Sequence, residues 1–263
     1  MDLNLIALIM GIVEGLTEYL PISSTGHLIL VGSWLGFTGE TAKIFEVFIQ
    51  LGSILAIAVL YRHRFYSFFT PAQFQKKGLN LLHIFLGILP AFILGFALHD
   101  LIKNTLFSPY TVVFALLAGA ILMIAAQLSK QKVTAESLDQ LTYRQAFLIG
   151  LFQTLALWPG FSRAGATISG GLLLGASYKT AAEFSFLVAV PVMIGATGLD
   201  LIKSLDVLRP QDFSIFAIGF VTAFVVAMLA VVTFLKVLNR LKLIPFAIYR
   251  ILLAGVLFYY LYF

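Results

Sequence analysis

The chain of 263 residues is 60% hydrophobic and only 11% charged, with a mean hydropathy of +1.00. So few charges do not cover the surface of a soluble protein, which leaves an all-α polytopic membrane protein with one integral membrane domain over residues 1–263. The absence of cysteine excludes disulfides, thiolate chemistry and cysteine-zinc sites, and the net charge of +5 follows the loops described below rather than pointing to nucleic acid.

The start, Met1-Asp2-Leu3-Asn4, lacks the basic region of a cleavable signal. Residues 5–36 begin as an apolar helix, break, and resume as a second short apolar stretch. Glu14 and Glu18 share one face of the first helix, four residues apart. The break then brings Pro21, Ser23, Ser24, Thr25, Gly26 and His27 to the same neighbourhood. Ionisable groups inside an apolar segment are costly and mark a functional site.

Apolar runs of spanning length, about 20 residues, follow near 45–60, 81–98, 110–128, 182–199, 213–235 and 245–262. Basic residues crowd after the first (Arg62, Arg64, Lys76, Lys77), the third (Lys130, Lys132, Arg144) and the fifth (Lys236, Arg240, Lys242). In the other loops Asp100 offsets Lys103, and Asp200, Asp206 and Asp212 surround Lys203 and Arg209. The positive-inside rule puts the three basic loops in the cytoplasm.

Residues 145–178 repeat the pattern of residues 5–36: short apolar helix, Pro-Gly break, short apolar helix. Neither half of either segment is long enough to cross, so each is expected to be a re-entrant hairpin received by protein or a water-filled cavity. At an offset of 139 residues Gly11 faces Gly150, Glu14 faces Gln153, Ser23 faces Ser162 and Gly26 faces Gly165. Further matches pair Glu46 with Glu183, Leu86-Gly87 with Ile218-Gly219, and Leu116-Leu-Ala-Gly119 with Leu252-Leu-Ala-Gly255. The expected fold is thus six transmembrane helices plus two re-entrant helical hairpins in an inverted-topology repeat, with halves 1–135 and 140–263. In that geometry the two tips meet near the midplane.

The second tip, Pro159-Gly160-Phe-Ser162-Arg163-Ala-Gly-Ala-Thr167, reads as an anion cradle. Glycines let the backbone approach, helix-start N–H groups face the ligand, and Arg163 offers a planar fork suited to phosphate. A phosphate on Arg163, with Glu14 and Glu18 holding a divalent cation against it, accounts for both tips, since Mg²⁺ binds through one or two carboxylates plus substrate phosphates. The same tips would serve a transporter or flippase of a phosphorylated lipid, or a lipid-binding scaffold. The Glu pair beside hydroxyls and an imidazole is what binding alone does not require.

Glu14-x-x-x-Glu18, the Pro-x-Ser-Ser-Thr-Gly-His stretch ending at His27, and Pro159-Gly-Phe-Ser162-Arg163 resemble the signatures of the bacterial undecaprenyl-pyrophosphate phosphatases, the bacitracin-resistance family of integral membrane phosphatases. The likeness extends to Phe45-Glu46-Val-Phe-Ile-Gln-Leu-Gly-Ser, Ala182-Glu183-Phe-Ser-Phe-Leu and Ile244-Pro-Phe-Ala-Ile-Tyr-Arg250. The resemblance implies hydrolysis of an isoprenyl pyrophosphate lipid to the monophosphate with a divalent cation, Mg²⁺ or Ca²⁺. It implies recycling of the peptidoglycan lipid carrier, bacitracin resistance, and a multi-pass protein of the bacterial cytoplasmic (inner) membrane with its site facing the periplasm. It is compatible with a homodimer.

The residues and the resemblance agree on roles. Glu14 and Glu18 hold the metal or activate a water; Ser24 is the expected nucleophile, with Ser23 and direct water attack open; His27 assists proton transfer. Ser23, Thr25, Gly160, Ser162, Arg163 and Thr167 bind phosphate. The family usually has Ser after the arginine; here it is Ala164, which shifts the expected contacts toward Ser162 and Thr167.

Overall fold

A computed structural model describes residues 1–70, 78–98, 101–102, 105–106, 108–203 and 213–262. Lys76, Lys77, His99, Asp100, Lys103, Asp206, Arg209 and Asp212 lie outside the described residues. Among those described, the chain is helical throughout, with one isolated bridge between Ala135 and Ala176.

The helices are α1 (Leu3–Thr17), α2 (Ser24–Trp34), α3 (Glu40–Leu60), α4 (Arg62–Ser67), α5 (Leu81–Ala97), α6 (Pro109–Leu128), α7 (Tyr143–Gln153), α8 (Arg163–Leu173), α9 (Tyr178–Lys203), α10 (Phe213–Leu241) and α11 (Ile244–Tyr262). Their starts follow local chemistry. Ser108 caps α6 with Pro109 in the first helical position, and Thr142 and Gln145 form a capping box on α7. His83, expected at an interface, is instead built in: it completes the Asn80 cap of α5 and its Nε2 lies 2.9 Å from the Leu141 carbonyl.

Among the described residues five helices are long and apolar enough to cross a membrane, α3, α6, α9, α10 and α11. The sixth expected crossing, α5, is apolar but has 17 residues. That length rises about 26 Å against a hydrocarbon core of about 30 Å. In α9 61% of the best window is buried, against 28% in α11, so α9 is central and α11 peripheral. Phe92, Phe96, Phe114, Ile121, Leu229 and Leu252 stay exposed, as lipid-facing side chains do.

The two segments that break do so as expected. Residues 18–23 separate α1 from α2; a 3₁₀ turn, Thr154–Leu157, and residues 158–162 separate α7 from α8. Each first helix packs on a helix from the far half of the chain's length or from across the other break, α1 on α10 and α7 on α5. Glycines set both crossings: a Cβ on Gly11 would stand 2.7 Å from the Gly219 carbonyl oxygen, and one on Gly150 2.6 Å from that of Gly87. Only a residue without a side chain allows such an approach.

The basic loops gather at one end. The Arg64 guanidinium grips Asp139 with two bonds of 2.9 and 2.8 Å, and Gln127 at the end of α6 accepts from the amides of Leu243 and Ile244. Arg64 holds the Asp139 carboxyl below its ordinary value of 3.8. A carboxyl depressed in the fold contributes stability above its unfolded value and loses it as pH falls through the folded one, so the clasp weakens only below about pH 4. Because the pair is part exposed, Asp139→Asn is expected to cost at most about 1 kcal/mol. Thermal unfolding at pH 7 should show the loss, and the difference between variant and wild type should shrink as pH falls below about 4.

Candidate active site

Both breaks end in the same conformation. Ser23 has φ 71° and Ser162 has φ 73°, left-handed values that a residue with a side chain adopts at a cost of roughly 1–3 kcal/mol. Each serine then caps the helix that follows: Ser23 Oγ accepts from Gly26 N at 3.3 Å, and Ser162 Oγ from Gly165 N at 3.1 Å. The turns aim the N-termini of α2 and α8 into one cavity of about 200 Å³, lined by Glu18, Ser23, Ser24, Thr25, Gly160, Ser162 and Arg163, together with Gln50 and Gln153. Two helix N-termini and a guanidinium around one space form an anion site.

A chain of short contacts crosses the cavity. Ser24 Oγ donates to Glu18 Oε2 at 2.6 Å, and Arg163 Nη2 donates to Glu18 Oε1 at 3.1 Å. Arg163 Nη1 donates to the Ser185 carbonyl at 3.0 Å and lies 3.3 Å from its hydroxyl, while its guanidinium sits 5.3 Å from the centre of the Tyr19 ring. Tyr19, fully buried, is fixed by its own hydroxyl bonding the Ser53 carbonyl at 3.0 Å. Arg163 is thus clamped on two sides and stacked on a third, with its Nε unpartnered among the described residues.

Three expected site residues stand outside the cavity wall. His27 is one helical turn past Ser23: its Nδ1 lies 2.7 Å from the Ser23 carbonyl and its Nε2 2.7 Å from the Tyr249 hydroxyl. A carbonyl only accepts, so Nδ1 carries the proton and, in the neutral ring, Nε2 accepts from Tyr249. Thr167 is one turn past Arg163: its hydroxyl donates to the Arg163 carbonyl at 2.8 Å and accepts from Ser185 Oγ at 2.6 Å. Both side chains brace the turn in front of them. Glu14 is fully buried, and among the described residues neither of its carboxylate oxygens has a hydrogen-bond partner.

Those two free oxygens bear on the expected cation. No group of three or more His, Cys, Asp or Glu suited to a metal occurs among the described residues. A site of two carboxylates completed by substrate phosphates needs no third ligand, so Glu14 with Glu18 fits a divalent ion of that kind.

The family profile described as "Bacitracin resistance protein BacA" matches residues 7–256. The chain belongs to the BacA family. Its BacA relatives include the protein named "Undecaprenyl-diphosphatase 1" of Bacillus thuringiensis (strain Al Hakam), 64% identical over 252 residues, covering 95% of each chain. The protein of the same name from Bacillus anthracis is 64% identical over 250 residues, covering 94% of each chain.

Within this BacA chain the structure adds residues that sequence reading missed. Ser185 accepts both hydrogen bonds of Arg163 Nη1 and gives its own proton to Thr167 Oγ1, and its only signal was its place two residues after Glu183 in a quoted motif. Tyr249 gave none beyond its neighbour Arg250. Gln50 reaches the cavity from α3. Prolines inside α5 and α9, Pro90 and Pro191, stand beside the apolar part of the wall, formed by Ala91, Ala156, Leu157, Val192 and Met193.

Proposed function

We propose that this chain hydrolyses undecaprenyl pyrophosphate to undecaprenyl phosphate and inorganic phosphate, recycling the lipid carrier of peptidoglycan synthesis and conferring bacitracin resistance. The observation that carries the chemistry is the Ser24–Glu18–Arg163 chain across a cavity faced by two helix N-termini. A hydroxyl 2.6 Å from a carboxylate has the geometry of a nucleophile with its base.

When the pyrophosphate enters, its terminal phosphate takes the place of Glu18 on Arg163 and faces the amides at the starts of α2 and α8. Ser24 Oγ bonds to the terminal phosphorus as its proton passes to Glu18, and the bridging P–O bond breaks. Undecaprenyl phosphate leaves with the electron pair of that bond. Water then attacks the phosphorus of the phosphoserine, the P–Oγ bond breaks as Glu18 returns its proton to Ser24 Oγ, the proton lost by the water passes to Glu18, and inorganic phosphate departs. Arg163, with Ser162 and the helix-start amides, meets the charge spread over the phosphoryl oxygens in both transition states. Glu14 and Glu18 would hold a divalent cation, Mg²⁺ or Ca²⁺, which when bound neutralises phosphate charge. His27 and Thr167 act through Ser23 and Arg163, whose carbonyls they hold. The apolar wall from Ala91 to Met193 receives the first isoprenyl units, and the rest of the tail stays in lipid, where each buried methylene gains about 0.8 kcal/mol.

The arrangement in the membrane follows the same reading: six crossings, two re-entrant hairpins and an inverted repeat of halves 1–135 and 140–263. The matching left-handed serines and the matching glycine crossings support the repeat. The basic loops, clasped together at one end, face the cytoplasm, and the site opens to the periplasmic side of the inner membrane. The test is phosphate release from purified protein given farnesyl pyrophosphate, with and without Mg²⁺ or Ca²⁺. Metal-dependent release is expected; folded, lipid-supplemented protein that releases none would overturn the reading.

A further inference from the structure

Arg250 is fully buried in α11, and no carboxylate lies within ion-pairing distance of it among the described residues. Its charge is met by four backbone carbonyls. Nε donates to Leu116 O at 3.1 Å, Nη2 to Ala115 O and Gly160 O at 3.1 Å each, and Nη1 to Pro21 O at 3.4 Å. Pro21 stands two residues before Ser23, and Gly160 two before Ser162. One planar group therefore holds the same position of both serine turns while being anchored on α6.

A buried cation without a counter-ion is expensive, and an apolar side chain of similar volume would fill the space at no such cost. What an apolar residue lacks is a rigid fork whose donors sit at set separations. The other direct polar link across the cavity, Glu18 to Arg163, is the one that a phosphate replaces in the mechanism above. On that reading of the site, we propose that Arg250 is a positioning residue that keeps the two phosphate-binding turns in register while the Glu18–Arg163 contact is open to substrate. It touches no substrate; it fixes the distance from Ser24 to the phosphorus that Arg163 holds.

Two variants test this from opposite sides. Arg250→Lys keeps the charge and removes the fork. Gly119→Ala keeps Arg250 whole but places a Cβ 2.7 Å from its Cζ and 2.8 Å from the Phe161 carbonyl oxygen, displacing the guanidinium and pressing on the second turn. Both are assayed with farnesyl pyrophosphate beside wild-type protein, whose phosphate release in the same preparation separates failure of this proposal from failure of the phosphatase reading. In each variant, per folded molecule, kcat should fall about 10²-fold, the cost of a misplacement near 1 Å. KM should change by less than about threefold, because the binding groups remain. Wild-type kcat in either folded variant overturns the proposal. So does a parallel loss of kcat and binding. Failure of both variants to fold does so too, since Arg250 would then be a packing residue.

Discussion

Replacing Arg163 by alanine is expected to lower kcat/KM for farnesyl pyrophosphate by about 10³-fold or more, the effect of removing a guanidinium that meets phosphoryl charge. Arg163→Lys should recover little of it. A lysine is a point charge, and the geometry here uses separate edges: Nη2 on Glu18, Nη1 on Ser185 and the flat face over Tyr19. The alanine variant also leaves Glu18, whose side chain is 8% exposed, as an uncompensated carboxylate, at a cost of about 3 kcal/mol. Adding Glu18→Gln to it should restore most of the thermal stability and none of the activity. Recovery of activity in that double variant would mean that Arg163 serves only to neutralise Glu18.

Ser24→Ala and Glu18→Gln form the second test. If Ser24 attacks with Glu18 as its base, each substitution alone should lower kcat by at least about 10³-fold, and the pair together no further than the worse single one, because the two act as a unit. A phosphorylated protein should be trapped by rapid acid quenching of the wild type and be absent from Ser24→Ala. Near-normal turnover by Ser24→Ala with loss in Glu18→Gln would shift the attack to a water activated by Glu18. Ser23→Ala is a useful companion, since Ser23 caps α2 and its hydroxyl is already engaged by Gly26.

Much of this site was legible in the sequence, for definite reasons. Carboxylates, a guanidinium and paired serines are costly in an apolar chain, so their presence within two short broken segments located both halves of the cavity. Their spacing at an offset of 139 residues anticipated that Ser23 and Ser162 would share a conformation. The left-handed φ itself was not legible, because serine rather than glycine occupies both positions. His27 and Thr167 were placed at the substrate because they are near in sequence. One helical turn, about 5.4 Å, carries each behind the reactive edge. The partners of Arg250 had no sequence signal, because all four are main-chain carbonyls. Of the six expected crossings five are long and apolar enough to cross; α5 is as apolar as its neighbours but ends at Ala97.

The glycine contact between α1 and α10 has a consequence for biosynthesis. Gly219, the surface that Gly11 packs on, is made about 200 residues after it. At roughly 5–20 residues per second, the first helix waits some tens of seconds before its partner exists. α7 meets no such delay, since α5 precedes it. The carboxylate-bearing segment is therefore seated only after α10 has been made, and the cavity stays unfinished while all the helices between them are synthesised.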